Sequence, residues 1–145
     1  MTTSTPKPGF PPAEAYLDLR RVHERLGGEF QALFKEHGLT HSWYNVLRIL
    51  AGGPKEGTAC SDVGGKLVNR VPDVTRLLDR MEGAELIERE RSREDRRVVR
   101  VRITSAGRQK LRQLESPVRD LHVQQFAGLE PDELATLDAL LRRLL

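Results

Sequence analysis

Seven arginines crowd the stretch from Arg89 to Arg102 (Arg89, Arg91, Arg93, Arg96, Arg97, Arg100 and Arg102), against three acids, Glu90, Glu94 and Asp95, and no lysine. A guanidinium is a planar fork that grips phosphate or guanine through two parallel hydrogen bonds, and it fits a narrow minor groove. Residues 70–81 carry a second set, Arg70, Arg76 and Arg80, with Pro72, Asp73 and Thr75 among them. Their chemistry is phosphate and base-edge recognition, with a threonine hydroxyl able to meet a phosphate oxygen. Asp73 suits such a surface only by pairing with an arginine or by accepting from cytosine N4. The competing reading of the arginine-rich stretch is a solvated hairpin edge kept soluble by charge. Overall charge does not choose between them, because the net value is only +3.

Other reactive side chains form no constellation. Of four histidines, His37 and His41 are four apart, but Gly38 between them predicts a helix break that separates their faces. No metal site or cofactor is expected. The single cysteine, Cys60, has no internal partner for a disulfide and fits a reducing cytoplasm. No nucleophile elbow, phosphate loop, dinucleotide fingerprint or paired-carboxylate cleft is present, so catalysis is not expected.

The elements that must position these residues follow from hydrophobic period. At 145 residues, 38% hydrophobic and 31% charged, the chain suits one soluble globular domain. No apolar run approaches the ~18–20 residues of a membrane span, and residues 1–12 read as a disordered lead without a secretory core. A first helix from Pro11–Pro12 carries Leu19, Val22, Leu26, Phe30 and Leu33 in a stripe, with Gly27-Gly28 either weakening it or letting another helix approach. Gly38 stops it. Thr40 caps a second helix bearing Tyr44, Val46, Leu47 and Leu50, which ends at Gly52-Gly53-Pro54. A weak third helix spans Thr58–Leu67 around Gly64-Gly65. Asn69 is expected to cap a fourth with Pro72 in its first turn, turning Val71, Val74, Leu78 and Met81 one way and Arg76 and Arg80 the other.

The period then changes to two. Leu86–Glu90 and Val98–Ile103 alternate apolar and charged residues around a Ser92–Arg97 turn, a two-stranded hairpin. Thr104 caps a helix through Leu111, Leu114, Val118 and Leu121, kinked by Pro117. A final helix starts at Glu130-Pro131-Asp132-Glu133 and is rich in leucine. The expected fold is mainly α with a small β-hairpin wing: a winged helix-turn-helix over residues 39–104, with N- and C-terminal dimerisation helices at 13–38 and 105–145. In such a unit the second helix lies in the major groove of double-stranded DNA and the hairpin tip reaches the minor groove.

These segments resemble the MarR family. Leu39-Thr40-x-x-Trp43-Tyr44-Asn45-Val46-Leu47 is similar to that family's second helix, and Val74-Thr75-Arg76-Leu77-Leu78-Asp79-Arg80-Met81-Glu82 to its recognition helix. Glu85-Leu86-Ile87-Glu88-Arg89, the wing Glu94-Asp95-Arg96-Arg97 and Ile103-Thr104-x-x-Gly107 complete the pattern, which covers the chain from about residue 13. The resemblance implies a triangular, helical homodimer that regulates transcription, usually as a repressor. It further implies that Asp95 orients Arg97 in the minor groove while Arg76 meets the major groove. Two positions depart from the pattern: Trp43 stands where glutamine is common, and Gly64-Gly65 where a helix former is.

Physics gives its own reason for pairing. The first and last helices offer more apolar stripe than a winged unit can cover, and a two-fold dimer buries it on both copies. The expected DNA-contact set is Arg70, Pro72, Asp73, Thr75, Arg76, Arg80, Arg93, Asp95, Arg96 and Arg97. A small, aromatic-acid effector would bind between the dimer helices and the winged unit, with Arg20, His23, Trp43 and Tyr44 as lining. Two alternatives stand beside this reading. One is a helical adaptor using the winged fold for protein contacts; the other is a redox switch through Cys60, although the oxidant sensors of that family carry their cysteine in the first helix.

Overall fold

The computed structural model describes residues 9–145. Six helices and three short strands follow in the order α1 (Pro11–Glu36), α2 (His41–Ala51), β1 (Thr58–Ala59), α3 (Cys60–Lys66), α4 (Val74–Gly83), β2 (Ile87–Arg91), β3 (Val99–Ile103), α5 (Ser105–Gln125) and α6 (Pro131–Arg142). The lead expected over residues 1–12 is partly helix, since α1 takes in Pro11 and Pro12; residues 1–8 lie outside the described part. Proline belongs there because the first-turn N–H has no intrahelical partner to lose.

Local chemistry sets most helix ends. At the end of α1, Gly38 sits at φ 70, while its N–H bonds to the Lys35 carbonyl and that of Leu39 to Phe34. That pair of bonds is the left-handed Schellman stop that glycine makes without strain. Thr40 then caps α2 by accepting from the Trp43 N–H at 3.2 Å, and Thr104 caps α5 by accepting from Gly107 at 3.1 Å. Glu130 and Glu133 form a reciprocal capping box at the start of α6. α5 runs unbroken through Pro117.

Two expectations need correction. The cap of α4 is Asp73, not Asn69: its Oδ1 accepts from the Arg76 N–H at 3.0 Å and helix begins at Val74. Pro72 disfavours helical backbone at Val71, so helix cannot extend back to Asn69. The wing sheet also has three strands rather than two, in the order β1-β3-β2. Thr58 pairs with Val101 and Ala59 with Arg100, which takes the first residues of the expected third helix into the sheet. A left-handed Gly57 (φ 99) lets the chain lie against β3, where a β-carbon would come within 2.7 Å of the Val101 carbonyl oxygen.

The core is a single cluster in which Phe34, Val46, Leu47, Val63, Leu78, Met81, Ile87, Val101 and Leu114 are fully enclosed. It joins the end of α1, α2, α3, α4, the sheet and the middle of α5, so α4 and the wing stand on one rigid base. By contrast, α6 has no buried residue and leaves Leu140 and Leu141 exposed, as is Leu144 just beyond it, while α1 exposes Tyr16, Leu17, Leu19 and Val22.

Candidate nucleic-acid interface

α4 buries Leu77, Leu78 and Met81 and turns Thr75, Arg76, Asp79 and Arg80 to solvent. Arg76 and Arg80 lie one turn apart on that open face. Leu77 belongs to the core as well; Val71 and Val74 are half-buried against it. Arg70 and Pro72 are exposed but precede the helix, in the segment that leads into it. Asp73 is spent on the cap. A carboxylate there favours the positive end of the helix dipole and holds the first turn in place.

The wing separates its arginines into two groups. Arg89 is held between Asp79 and Glu82 of α4. Arg91 Nη1 donates to the Arg96 carbonyl at 2.8 Å, Arg100 Nη1 to the Gly57 carbonyl at 3.2 Å, and Arg102 lies 3.3 and 3.0 Å from Glu88 and Glu90. These four brace the sheet and its tip. Arg93, Arg96 and Arg97 remain at the exposed end of the hairpin. Among the described residues Arg76, Arg80, Arg93 and Arg96 make no salt bridge, so their charge is available.

The tip carries its own scaffold. Asp95 Oδ1 accepts from the Arg97 N–H at 3.0 Å and lies 3.6 Å from Arg97 Nε. The Asp95 N–H meets Ser92 Oγ at 3.4 Å and its carbonyl accepts from Val98 at 2.9 Å. Asp95 is thus an internal acceptor that shapes the turn, and the Arg97 side chain stands 95% exposed beside it. The arrangement offers two groups of open cations on one rigid unit, a helix face and a finger. That suits a duplex, whose phosphates line both grooves.

A second feature is a cleft of about 1030 Å³ between α1, α2 and α5. Phe30, Phe34, His41 and Tyr44 form an aromatic wall, with Phe34 and Tyr44 stacked at 4.5 Å and Phe34 and His41 edge-on at 5.4 Å. Arg48, Arg112 and Arg119 also line it. Of the four residues expected to line such a pocket, Tyr44 alone does so. Trp43 packs partly buried against the core, and Arg20 is exposed beside Glu24 at 3.6 Å. His23 does not line the cleft, though its charge, after burial, helps push the His41 pKa below the usual histidine range. The sequence reading missed His41, Arg48, Arg112 and Arg119 because the cleft forms only where α5 crosses α1; there Gln125 Nε2 donates to the Leu26 carbonyl at 3.1 Å.

Cys60 lies half-buried at the start of α3. Burial pushes its thiol pKa up, against an opposing pull from the Arg89 charge. Oxidants react with the thiolate, the form that a raised pKa makes scarcer. Peroxide is expected to leave DNA affinity unchanged in both wild type and Cys60→Ser; release from the wild type alone would contradict this. Among the described residues no group of three His, Cys, Asp or Glu side chains could hold a metal ion, and no helix is long and apolar enough to cross a membrane.

Comparison with known proteins places this geometry. A model of the MarR family matches residues 39–99, from just before α2 to the first residue of β3. The chain is 31% identical over 127 residues to the uncharacterized HTH-type transcriptional regulator YpoP of Bacillus subtilis, covering 87% of each. The crystal structure of a MarR transcription factor from Planctomyces limnophilus is 39% identical, with a TM-score of 0.71 over 90% of this chain and 94% of that one. A MarR mutant from E. coli, solved in complex with operator DNA, is 25% identical with a TM-score of 0.78, covering 88% of this chain and 90% of that one.

Proposed function

The chain belongs to the MarR family of transcriptional regulators, and from that premise we propose that it acts as a homodimeric repressor gripping a pseudo-palindromic DNA site. One observation carries the reading: the open arginines of α4 and those of the wing tip stand on a single rigid base, as contact with a major groove and its neighbouring minor groove requires. The E. coli relative crystallised on operator DNA supports it. In this reading Thr75, Arg76 and Arg80 meet the major groove, Arg70 and Pro72 lie beside the backbone, and Arg97, steadied by Asp95, enters the minor groove with Arg93 and Arg96 flanking it. The apolar faces of α1 and α6, uncovered in the single chain, supply the dimer contact. Two reading heads then sit about 34–36 Å apart, one helical turn of DNA or a multiple of it. A repressor of this kind acts by occupying its site.

The cleft suits an aromatic carboxylate, with rings to stack on and three guanidiniums to pair with the acid. Filling it would bias the placement of α5 and α1 relative to the winged unit, and so the spacing of the two heads.

Selection of bound duplex from a random pool tests the DNA reading. The enriched site should show two-fold symmetry, and the logarithm of affinity should fall with the logarithm of salt at about 0.9 per phosphate neutralised. A purified protein that stays monomeric and retains no duplex at low salt would overturn it.

A further inference from the structure

Arg89 is the one arginine of the wing strands that reaches back to α4. It sits in the middle of β2, paired across the sheet with Val101, and its side chain is only 21% exposed. Its Nη2 contacts both Asp79 Oδ1 and Glu82 Oε1, the latter at 3.1 Å, while its backbone N–H donates to Glu82 Oε2 at 2.9 Å. Glu82 therefore spends one oxygen on the guanidinium and the other on the main chain of the strand. Asp79 and Glu82 lie three apart on α4, on the same helix as Arg76 and Arg80.

The clamp differs in kind from the rest of the α4 packing. Leu77, Leu78 and Met81 hold the helix by apolar contact, which is non-directional. The turn from Ala84 to Leu86 closes the helix end, with Glu85 left-handed at φ 61 and Leu86 bonding back to Met81. Charge-assisted bonds from one guanidinium to two carboxylates are directional and add an angular constraint between helix and strand to that apolar seat. They also neutralise two acids that would otherwise face phosphate beside the reading arginines.

We infer that Arg89, Asp79 and Glu82 form a positioning clamp that sets the angle between α4 and the wing, and through it the discrimination between a matched duplex and any other. This rests on the DNA-binding reading above. Arg89 itself is a positioning residue, since its fork is occupied.

The informative variant is Glu82→Gln. It removes one negative charge per chain, so on electrostatics alone it would tighten binding to every duplex. The clamp predicts opposite signs: affinity for the selected site falls about tenfold while affinity for an unrelated duplex holds or rises slightly. Arg89→Lys, which keeps the charge and loses the fork, should lose the same discrimination. A merely stabilising clamp would lower the melting temperature and leave the ratio of the two affinities unchanged well below melting. A readout without DNA uses spin labels at Arg80→Cys and Arg93→Cys on a Cys60→Ser background, in dimers diluted with unlabelled chains. The distance distribution should broaden when Glu82→Gln is added. An unchanged distribution together with an unchanged affinity ratio would overturn the clamp even in a protein that binds its site normally. A broadened distribution in a protein that binds no duplex would retire the DNA reading, and discrimination with it, while leaving the mechanical linkage standing.

Discussion

Replacing Arg97 by alanine should weaken binding to the selected duplex by well over tenfold while leaving fold and oligomeric state intact. The argument starts from exposure: the side chain is 95% open to solvent and supports nothing else in the chain beyond its 3.6 Å approach to Asp95. Its removal therefore costs the folded protein almost nothing, exposed ion pairs being worth about 0–1 kcal/mol. On the proposed reading the same guanidinium enters a narrow groove where negative potential is concentrated. Loss of a contact of that kind costs about 1–3 kcal/mol, and the proposed two-winged dimer would lose it twice. Because two phosphate-neutralising charges go, the salt dependence should flatten by about two. Arg97→Lys should fall between wild type and alanine, since a lysine keeps the charge and lacks the planar fork. Gel shifts across a salt series, with the melting temperature as control, decide the matter; an alanine variant of wild-type affinity would remove Arg97 from the interface.

The second large effect is on stability. Gly107 is buried in the first turn of α5, and a β-carbon there would lie 2.4 Å from the Leu86 carbonyl oxygen, 2.7 Å from Ile103 Cγ1 and 3.1 Å from Leu47 Cδ2. The first contact is with backbone that is already committed, because the Leu86 carbonyl accepts from the Thr104 N–H at 3.1 Å. Neither the Leu86 carbonyl nor the capped start of α5 can retreat without breaking the bond between them. Overpacking costs about 1–3 kcal/mol and more where the neighbour is main chain, against a gain of at most ~1 kcal/mol from the better helix propensity of alanine. Gly107→Ala should therefore lower the melting temperature by roughly 4–12 °C at fixed protein concentration. The sign is the test, because Gly65→Ala in α3, where a β-carbon meets nothing within 4 Å, should raise it. Thermal unfolding of the two variants side by side gives the comparison, and a stabilised Gly107→Ala would show that the start of α5 does not sit against Leu86 and Ile103 in this way.

Much of the local architecture follows from short-range rules. Gly38, Thr40, Thr104 and the Glu130–Glu133 pair each act within four residues of themselves, so their roles at helix ends can be read from order alone. The cap of α4 was harder because Asn69 and Asp73 are both good capping residues. Pro72 decides between them by its effect on Val71, a weaker signal than a capping side chain. Strand β1 was invisible for another reason: two residues cannot display a period, and Thr58-Ala59 becomes a strand only because β3 offers it an open edge. Of the four residues expected to line an effector pocket, Tyr44 borders the cleft between α1, α2 and α5, while Arg20, His23 and Trp43 do not. Helical position says which side a residue can face but not which distant helix will cross there.

The chain by itself determines a helix with two open arginines, an arginine-rich hairpin and more apolar helix surface than one small domain can cover, because periodicity, capping and charge are properties of near neighbours. Which of the seven wing arginines are free is a tertiary decision. Arg89, Arg91, Arg100 and Arg102 are engaged by Asp79, Glu82, Glu88, Glu90 and two carbonyls that folding brings beside them, up to 43 residues away along the chain. Arg93, Arg96 and Arg97 stay outward because the turn that Asp95 organises leaves them no partner that could neutralise them fully. Identical side chains a few residues apart thus become scaffold or open cation according to the acceptors within reach, and only the folded chain sets those distances.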